Sequence, residues 1–411
     1  MVNIAILGYG TVGSGVVEVL RTNEKSINKR AGKDVEIKYV LDIRDFEGDP
    51  IQEILVHDYD IILNDDSVEV VVEVMGGIEP AYTFVKKALL KGKSVVTSNK
   101  ELVAKHGAEL LKIAKKNNKN FLFEASVGGG IPIIRPLNQS LTADEIYEIT
   151  GILNGTTNFI LTKMSNEGLN FDDVLKEAQD KGYAERNPEA DIEGHDACRK
   201  IAILSSLAFG MQVDYEDIYT EGITTITDKD MKYAKYLGYD IKLLATSRKA
   251  NNKIYARVAP MLLGNEHPLT NVHGVFNAIF VKGNVIGDVM FYGKGAGKLP
   301  TASAVVADIV DAVKHSKRNI MSFWSTEKTE LMKISEVPTS YFIRIKGEYG
   351  KVNEHIEKLF GPIHTIHLED LQDEFAIITD VETEGELCEK VNELEKLVNN
   401  ENVLSIIRLE N

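Results

Sequence analysis

Cysteine is scarce in this sequence. Only Cys198 and Cys388 occur in 411 residues, far apart, so no disulfide framework is expected and a reducing, cytoplasmic setting is the default. Long apolar runs are missing too. None approaches the roughly 20 residues that a membrane helix needs, so no membrane partner is expected. The start, Met1-Val2-Asn3-Ile4-Ala5-Ile6-Leu7-Gly8, has no basic n-region and too short an apolar run for a signal peptide. Positive charge is in deficit: 47 Lys and Arg stand against 62 Asp and Glu, a formal net charge of −15. A surface of that sign repels polyanions, so nucleic acid is not an expected partner. The basic cluster at 112–119 reads as a solvated helix end. Nine histidines show no metal-ligand spacing such as HExxH, and no repeat or low-complexity segment is visible.

What the chain does have is an ordinary globular balance, 44% apolar and 27% charged residues. Its length exceeds what one core usually serves, so two or three domains are expected. Within residues 1–135, short apolar runs (2–7, 35–41, 70–74, 94–97 and 120–124), the first four rich in Val and Ile, alternate with amphipathic stretches such as 81–91 and 101–116. Strands that are apolar on both faces need both faces covered. This part is therefore read as an α/β, Rossmann-type doubly wound parallel sheet. From residue 136 the pattern becomes α+β, with helices at 171–181 and 196–209 and strands near 254–259, 275–281 and 285–291, the last two parted by a Lys282-Gly283-Asn284 turn. A glycine-rich run, Gly293-Lys294-Gly295-Ala296-Gly297, opens a helix from Thr301, and 319–337, with the single Trp324, reads as a linker. Residues 338–411 have the order βαββαβ, a ferredoxin-like arrangement.

The first glycine cluster carries a mechanism. Gly8-Tyr9-Gly10-Thr11-Val12-Gly13 follows an apolar strand and opens a helix. Glycines there let the chain turn tightly and let backbone N–H groups approach a pyrophosphate at the helix N-terminus. The motif alone could be a structural turn; its place at the first βα junction makes it a dinucleotide signal. The second strand ends Leu41-Asp42-Ile43-Arg44, offering a carboxylate for ribose hydroxyls and an arginine for a 2′-phosphate, so NAD and NADP both stay open.

The densest polar cluster runs from Gly182 to Asp196 and closes on Lys200. Asn187-Pro188 and Gly194 break helix, so a loop leads into a helix near Asp196. Asp196 and Lys200 stand at i and i+4, and a plain ion pair is the bland reading. Yet Ile201, Ala202, Leu204 and Leu207 mark that helix as buried. A lysine held there would be partly desolvated, which lowers its pKa toward acid–base range.

Read through to Lys200, this run (Ala178, Gly182-Tyr183-Ala184, Asn187-Pro188, Asp191-Ile192, Gly194, Asp196) resembles the homoserine dehydrogenase signature. So do the segments beginning at Glu73, Thr97, Glu124 and Asn154, over roughly residues 1–320. The resemblance implies an NAD(P)-dependent oxidoreductase that interconverts L-homoserine and L-aspartate 4-semialdehyde, in threonine, methionine and isoleucine biosynthesis. It implies Lys200 as proton donor, Lys100 as a second lysine near nicotinamide and substrate, and Asp196 beside the reacting oxygen. Glu185 would take the substrate ammonium, with Asp191 nearby. Cofactor contacts fall to Gly8, Gly10, Thr11, Val12, Gly13, Arg44, Lys100, Gly182 and Gly297. A monovalent cation such as sodium would lie on Glu124, Val127, Gly129 and Ile131; otherwise Glu124 caps the next element or pairs with a basic neighbour. By the same resemblance, 298–318 return to the nucleotide domain, 136–297 form a substrate and dimerisation domain, and the assembly is a homodimer or homotetramer.

Residues 338–411 resemble an ACT domain, which implies an amino-acid effector, threonine first. The turn Glu348-Tyr349-Gly350-Lys351-Val352 lacks the expected proline, and Pro362-Ile363-His364 replaces an expected asparagine. A non-catalytic nucleotide and amino-acid sensor of the same fold is the rival reading. Aspartate-semialdehyde dehydrogenase needs a cysteine nucleophile, and Cys198, two residues from Asp196, faces away from the Asp196–Lys200 stripe.

Overall fold

Val and Ile are stiff at χ1 and pack well on a pleated surface, and the runs that carry them become strands. The computed structural model describes residues 1–250, 253–321, 324–398 and 402–410. It divides into two compact units. One comprises Met1–Ile149, Arg199–Asp217 and Asn277–Thr329; the other Thr150–Cys198, Ile218–Phe276 and Glu330–Asn411.

In the first unit six parallel strands (Val2–Leu7, Val35–Leu41, Leu55–Val56, Val68–Glu73, Ser94–Thr97 and Phe121–Leu122) stand in the order third, second, first, fourth, fifth, sixth. That order puts the topological switch point between the first and fourth strands, where ligands bind outside the carboxyl ends. The register levels those ends: Leu7 lies opposite both Leu41 and Glu73, and Glu73 opposite Thr97. One face of the sheet buries Val2, Ile4, Ile6, Val70 and Val72 against helices Thr11–Thr22 and Lys298–Lys314. The two helices lie backbone against backbone: a Cβ on Gly15 would stand 2.9 Å from the Lys298 carbonyl oxygen. Trp324 is buried against helix Lys100–Lys116, where a Cβ on Gly107 would meet its ring at 2.4 Å, and its Nε1 donates to Gln212 at 2.8 Å.

Among the differences from the sequence pattern, two have a local reason. The strand expected at 120–124 ends at Leu122, because the Glu124 N–H is drawn to Asp308 at 2.8 Å. The late hairpin pairs Phe276–Gly283 with Gly287–Lys294, its turn displaced to 284–286. Asp144 accepts the Val285 and Ile286 amides at 3.0 and 2.7 Å and fixes that turn.

The second unit is built on two long antiparallel strands, Tyr239–Ala250 and Lys253–Gly264. The helix before them, Asp228–Leu237, starts on a Thr227/Asp230 capping box and ends on Gly238 in the left-handed region. Strand Lys253–Gly264 takes two short parallel neighbours: Tyr219–Thr220 at Arg257–Val258, and the last strand, Val403–Leu409, at Met261–Leu262. The C-terminal segment has the expected βαββαβ order: Tyr341–Lys346, Asn353–Phe360, Thr365–Ile366, Glu374–Ile378, Glu384–Val398, Val403–Leu409. Its strands are antiparallel in the order fourth, first, third, second. Ile343, Ile345, Phe375, Ile377, Leu387 and Leu394 form its core. Among the described residues no helix is long and apolar enough to cross a membrane.

Candidate active site

The carboxyl edge of the parallel sheet gathers the first group of expected site residues. Gly8 has φ +98 and its N–H reaches the Leu41 carbonyl at 2.7 Å, so the chain turns at once after the strand. A Cβ on Gly13 would stand 2.0 Å from the Gly8 carbonyl oxygen, whereas one on Gly10, the N-cap residue, would meet nothing within 4 Å. The turn is closed behind and open in front. At the end of the second strand, Asp42 accepts the Tyr9 N–H at 2.8 Å, and Arg44 Nε and Nη2 grip its two oxygens at 3.0 Å each. The Arg44 guanidinium holds the Asp42 carboxyl down at about 2. Asp42 is thus engaged, at 7% side-chain exposure, while Arg44 is 58% exposed and lies over the Phe46 ring.

Two strands further on, the buried Glu73 carboxylate accepts from Met75 N at 2.8 Å, Gly76 N at 3.3 Å and Thr97 Oγ1 at 2.6 Å. Burial raises its pKa, and these donors oppose the rise. Asn99 completes the net: its amide donates to Gly77 O at 2.6 Å and its carbonyl caps helix Lys100–Lys116 through Leu102 N at 3.1 Å. Lys100, half-buried, is therefore the first residue of a helix whose start is tied to two strand ends. Helix His195–Phe209 approaches the same turn, for Arg199 lies 3.8 Å from Glu101. The neighbours of that pair in sequence are Lys100 and Lys200.

Lys200 is 8% exposed and Asp196 is 3% exposed, one turn apart on the helix. In the second unit, Asn154 caps helix Gly155–Glu167 with its side-chain oxygen and points its amide the other way. That amide donates to Asp191 Oδ1 at 2.7 Å and to Asp196 Oδ2 at 2.9 Å, holding two carboxylates on one fork. Glu185 is exposed on the 182–188 turn, and the Glu185 carbonyl accepts from Gln179 at 3.2 Å. Cys198 is buried. Sequence reasoning gave Asn154 no role. The available signal was Asn-Gly-Thr-Thr, an N-cap pattern whose amide nitrogens remain to be accounted for.

Glu124 is buried and works as a cap. Its Oε1 accepts the Ile133 and Ile134 amides at 2.6 and 2.9 Å, and its Oε2 accepts Arg135 N at 2.7 Å. Beside it, Asp308 is bound by Arg135 Nη2 at 2.7 Å. Burial, with the Glu124 carboxylate close by, pushes Asp308 up to about 8 against the pull of Arg135. The glycine run at 128–130 rests on the second glycine run: a Cβ on Gly129 would stand 2.3 Å from the Gly295 carbonyl oxygen, and Gly130 N donates to Lys294 O at 3.2 Å. A Cβ on Gly128 would stand 2.5 Å from the Ile131 carbonyl oxygen, so that carbonyl folds back over the loop. Gly297, at φ +121, caps helix Lys298–Lys314 in the same unit. Val127 and Ile131 are buried. Gly182 lies in the left-handed region in the second unit.

Two family models match the chain. The model described as homoserine dehydrogenase, NAD binding domain, matches residues 8–124, and the model described as homoserine dehydrogenase matches 132–310. A homoserine dehydrogenase from Neisseria gonorrhoeae is 39% identical over 432 residues, 100% of this chain and 98% of its own. Among solved structures, a homoserine dehydrogenase from Thiobacillus denitrificans is similar at a TM-score of 0.92 and 38% identity, covering 100% of this chain and 98% of its own. A hyperthermophilic archaeal homoserine dehydrogenase mutant solved with NADPH is similar at a TM-score of 0.65 and 32% identity, over 76% of this chain and 97% of its own.

Proposed function

The chain belongs to the homoserine dehydrogenase family and is an NAD(P)-dependent oxidoreductase; from that premise we propose how its residues divide the work on L-homoserine and L-aspartate 4-semialdehyde. The nicotinamide, when bound, supplies or accepts the hydride. Hydride arriving at the aldehyde carbon leaves negative charge on oxygen, and a positioned ammonium both stabilises that charge and delivers the proton. Lys200 has this role, with Lys100 as the second cation at the same end of the first unit. Asp196 orients the reacting hydroxyl and Asp191 lies beside it. Glu185, on an exposed turn, receives the substrate ammonium. The observation that carries the reading is the Asn154 amide held by Asp191 and Asp196, the latter one turn before the buried Lys200. Incubation with L-homoserine and NADP or NAD tests the reaction itself: reduced nicotinamide must accumulate with at least one of the two, and none with either defeats the reading.

The cofactor site fits a dinucleotide, since the space before Gly10 would take a phosphate that any side chain at that position would crowd. Its preference follows from Arg44. Asp42 is already satisfied by Tyr9 and Arg44, Arg44 Nη2 also donates to the Tyr9 carbonyl at 3.4 Å, and the rest of the guanidinium is exposed. That geometry supports use of NADP through its 2′-phosphate, with NAD as a poorer alternative. The cation site fits more narrowly. Three amides occupy three of the four lone-pair positions of Glu124, so one position on Oε2 remains for sodium, with carbonyls of Val127, Gly129 and Ile131 as the other ligands.

Strand Gly287–Lys294 alternates between half-buried and exposed residues and shows Met290 and Tyr292 at 41% and 52% exposure. Such an apolar face supports pairing with a second copy as a homodimer. The ferredoxin-like order of the C-terminal segment supports an ACT-like role with threonine as effector, and a structural role is the rival.

A further inference from the structure

The last strand of the chain brings a charge cluster, buried at Arg408, Arg257 and Glu384 and partly exposed at Arg248 and Glu221, against the segment that precedes helix Asp228–Leu237. Arg408 donates to Glu384 through Nε at 3.0 Å, to Tyr219 Oη through Nη2 at 3.0 Å, and to Glu221 through Nη1. Arg257 faces Glu384 and Glu410 at 3.8 and 3.7 Å, and Arg248 pairs with Glu410. The six groups balance in charge, three arginines against three glutamates. A buried ion cluster is a weak source of stability compared with apolar packing of the same volume. What it does provide is a fixed geometry, because each charge tolerates few positions of its partners.

That geometry reaches the substrate loop through backbone contact. Glu221 N donates to Val258 O at 2.8 Å, and the next residue, Gly222, lies so close to the loop that a Cβ would stand 2.4 Å from the Ile192 carbonyl oxygen. Ile223 N donates to that same oxygen at 2.8 Å. From the other side, a Cβ on Gly194 would stand 3.2 Å from Thr220 and Val258 side chains. Residues 220–223 and 192–194 therefore have no slack between them. Asp191 and Asp196 flank the contacted stretch, and Asn154 ties both.

We propose that Arg408 is a positioning residue for the substrate loop, acting through Glu221 and the contact of Gly222 with Ile192. The C-terminal segment then sets the affinity for the amino-acid substrate while leaving the nucleotide turn untouched. This rests on Asp191 and Asp196 serving the substrate, and the test separates the two ideas. Arg408→Met, Arg408→Lys, Glu221→Gln and Asp191→Asn are compared in the full chain by KM for homoserine, KM for cofactor, kcat and Tm. The expected result is a rise of roughly 2- to 30-fold in homoserine KM for Arg408→Met and Glu221→Gln. Cofactor KM stays level, and Arg408→Lys lies nearer the wild type. An unchanged homoserine KM in folded Glu221→Gln overturns the proposal, even if Tm falls, and so does a joint rise of both KM values. Arg408→Met leaves Glu384 buried without its main partner; if it fails to fold, Glu221→Gln, with a 29% exposed side chain, decides alone. If Asp191→Asn leaves homoserine KM unchanged, the assignment of the loop to substrate fails first.

Discussion

Replacing Arg44 by alanine acts on the cofactor through two separable effects. The first is loss of a charged donor to the 2′-phosphate. Arg44 is 58% exposed, so solvent screens the contact and its loss costs less than that of a buried charged hydrogen bond. The second effect is exposure of Asp42. Its carboxyl sits at about 2 because Arg44 binds it, and without Arg44 it moves back toward the ordinary carboxylate range. It is ionised at neutral pH either way, so the change is one of field and not of protonation. A bare carboxylate near the phosphate adds repulsion of about 1 kcal/mol in a solvated setting. Together these should weaken NADP by roughly 5- to 30-fold. NAD should bind as before or better, because the freed Asp42 can accept its ribose hydroxyls. Steady-state KM values for both cofactors, repeated at higher ionic strength, read this out. The NADP advantage of the wild type should shrink with salt. Equal weakening of NADP and NAD, or none, would refute the reasoning.

Glu185→Gln should raise KM for L-homoserine more than it lowers kcat, since the contact is with the unreacting ammonium; a collapse of kcat at constant KM would assign Glu185 to the chemistry. Gly129→Ala puts a methyl 2.3 Å from the Gly295 carbonyl oxygen, so stability should fall by about 1–3 kcal/mol as for other overpacked sites. A Tm equal to wild type would mean that the two glycine loops can part freely. Threonine, if the C-terminal segment transmits an effector, should inhibit the full chain by roughly 5- to 150-fold and spare a chain ending near Ser335. Inhibition of both forms, or of neither, would contradict that role.

The first part of the fold was legible because its evidence is local. Val2–Leu7 is apolar on both faces, and the glycine turn follows within three residues. Lys200 stood out for the same reason, as a lysine among Ile201, Ala202 and Leu204. The long strand Tyr239–Ala250 escaped notice because it carries Lys242, Arg248 and Lys249. Lys242 is fully buried, its ammonium 3.0 Å from the Val272 carbonyl and 2.9 Å from Asp240, partners that no strand periodicity announces. The cap made by Glu124 was one of two readings that spacing alone left open, since its amides lie nine to eleven residues ahead. Asn154 is the clearest gap. Its contacts span 37 and 42 residues, and a short motif shows which atoms it can offer but not who receives them. The same holds for the C-terminal segment, whose βαββαβ order was readable while its pairing with Met261–Leu262 was not.

The proton-transfer role stands or falls on Lys200. The decisive measurement is the turnover of Lys200→Met beside its affinity for NADPH, taken on folded protein. Loss of the proton donor should cost roughly 10² to 10⁴ in kcat, with NADPH binding preserved, because Lys200 lies on a helix remote in sequence from the nucleotide turn. Near-normal turnover with intact cofactor binding would contradict the assignment of Lys200 as the group that delivers the proton.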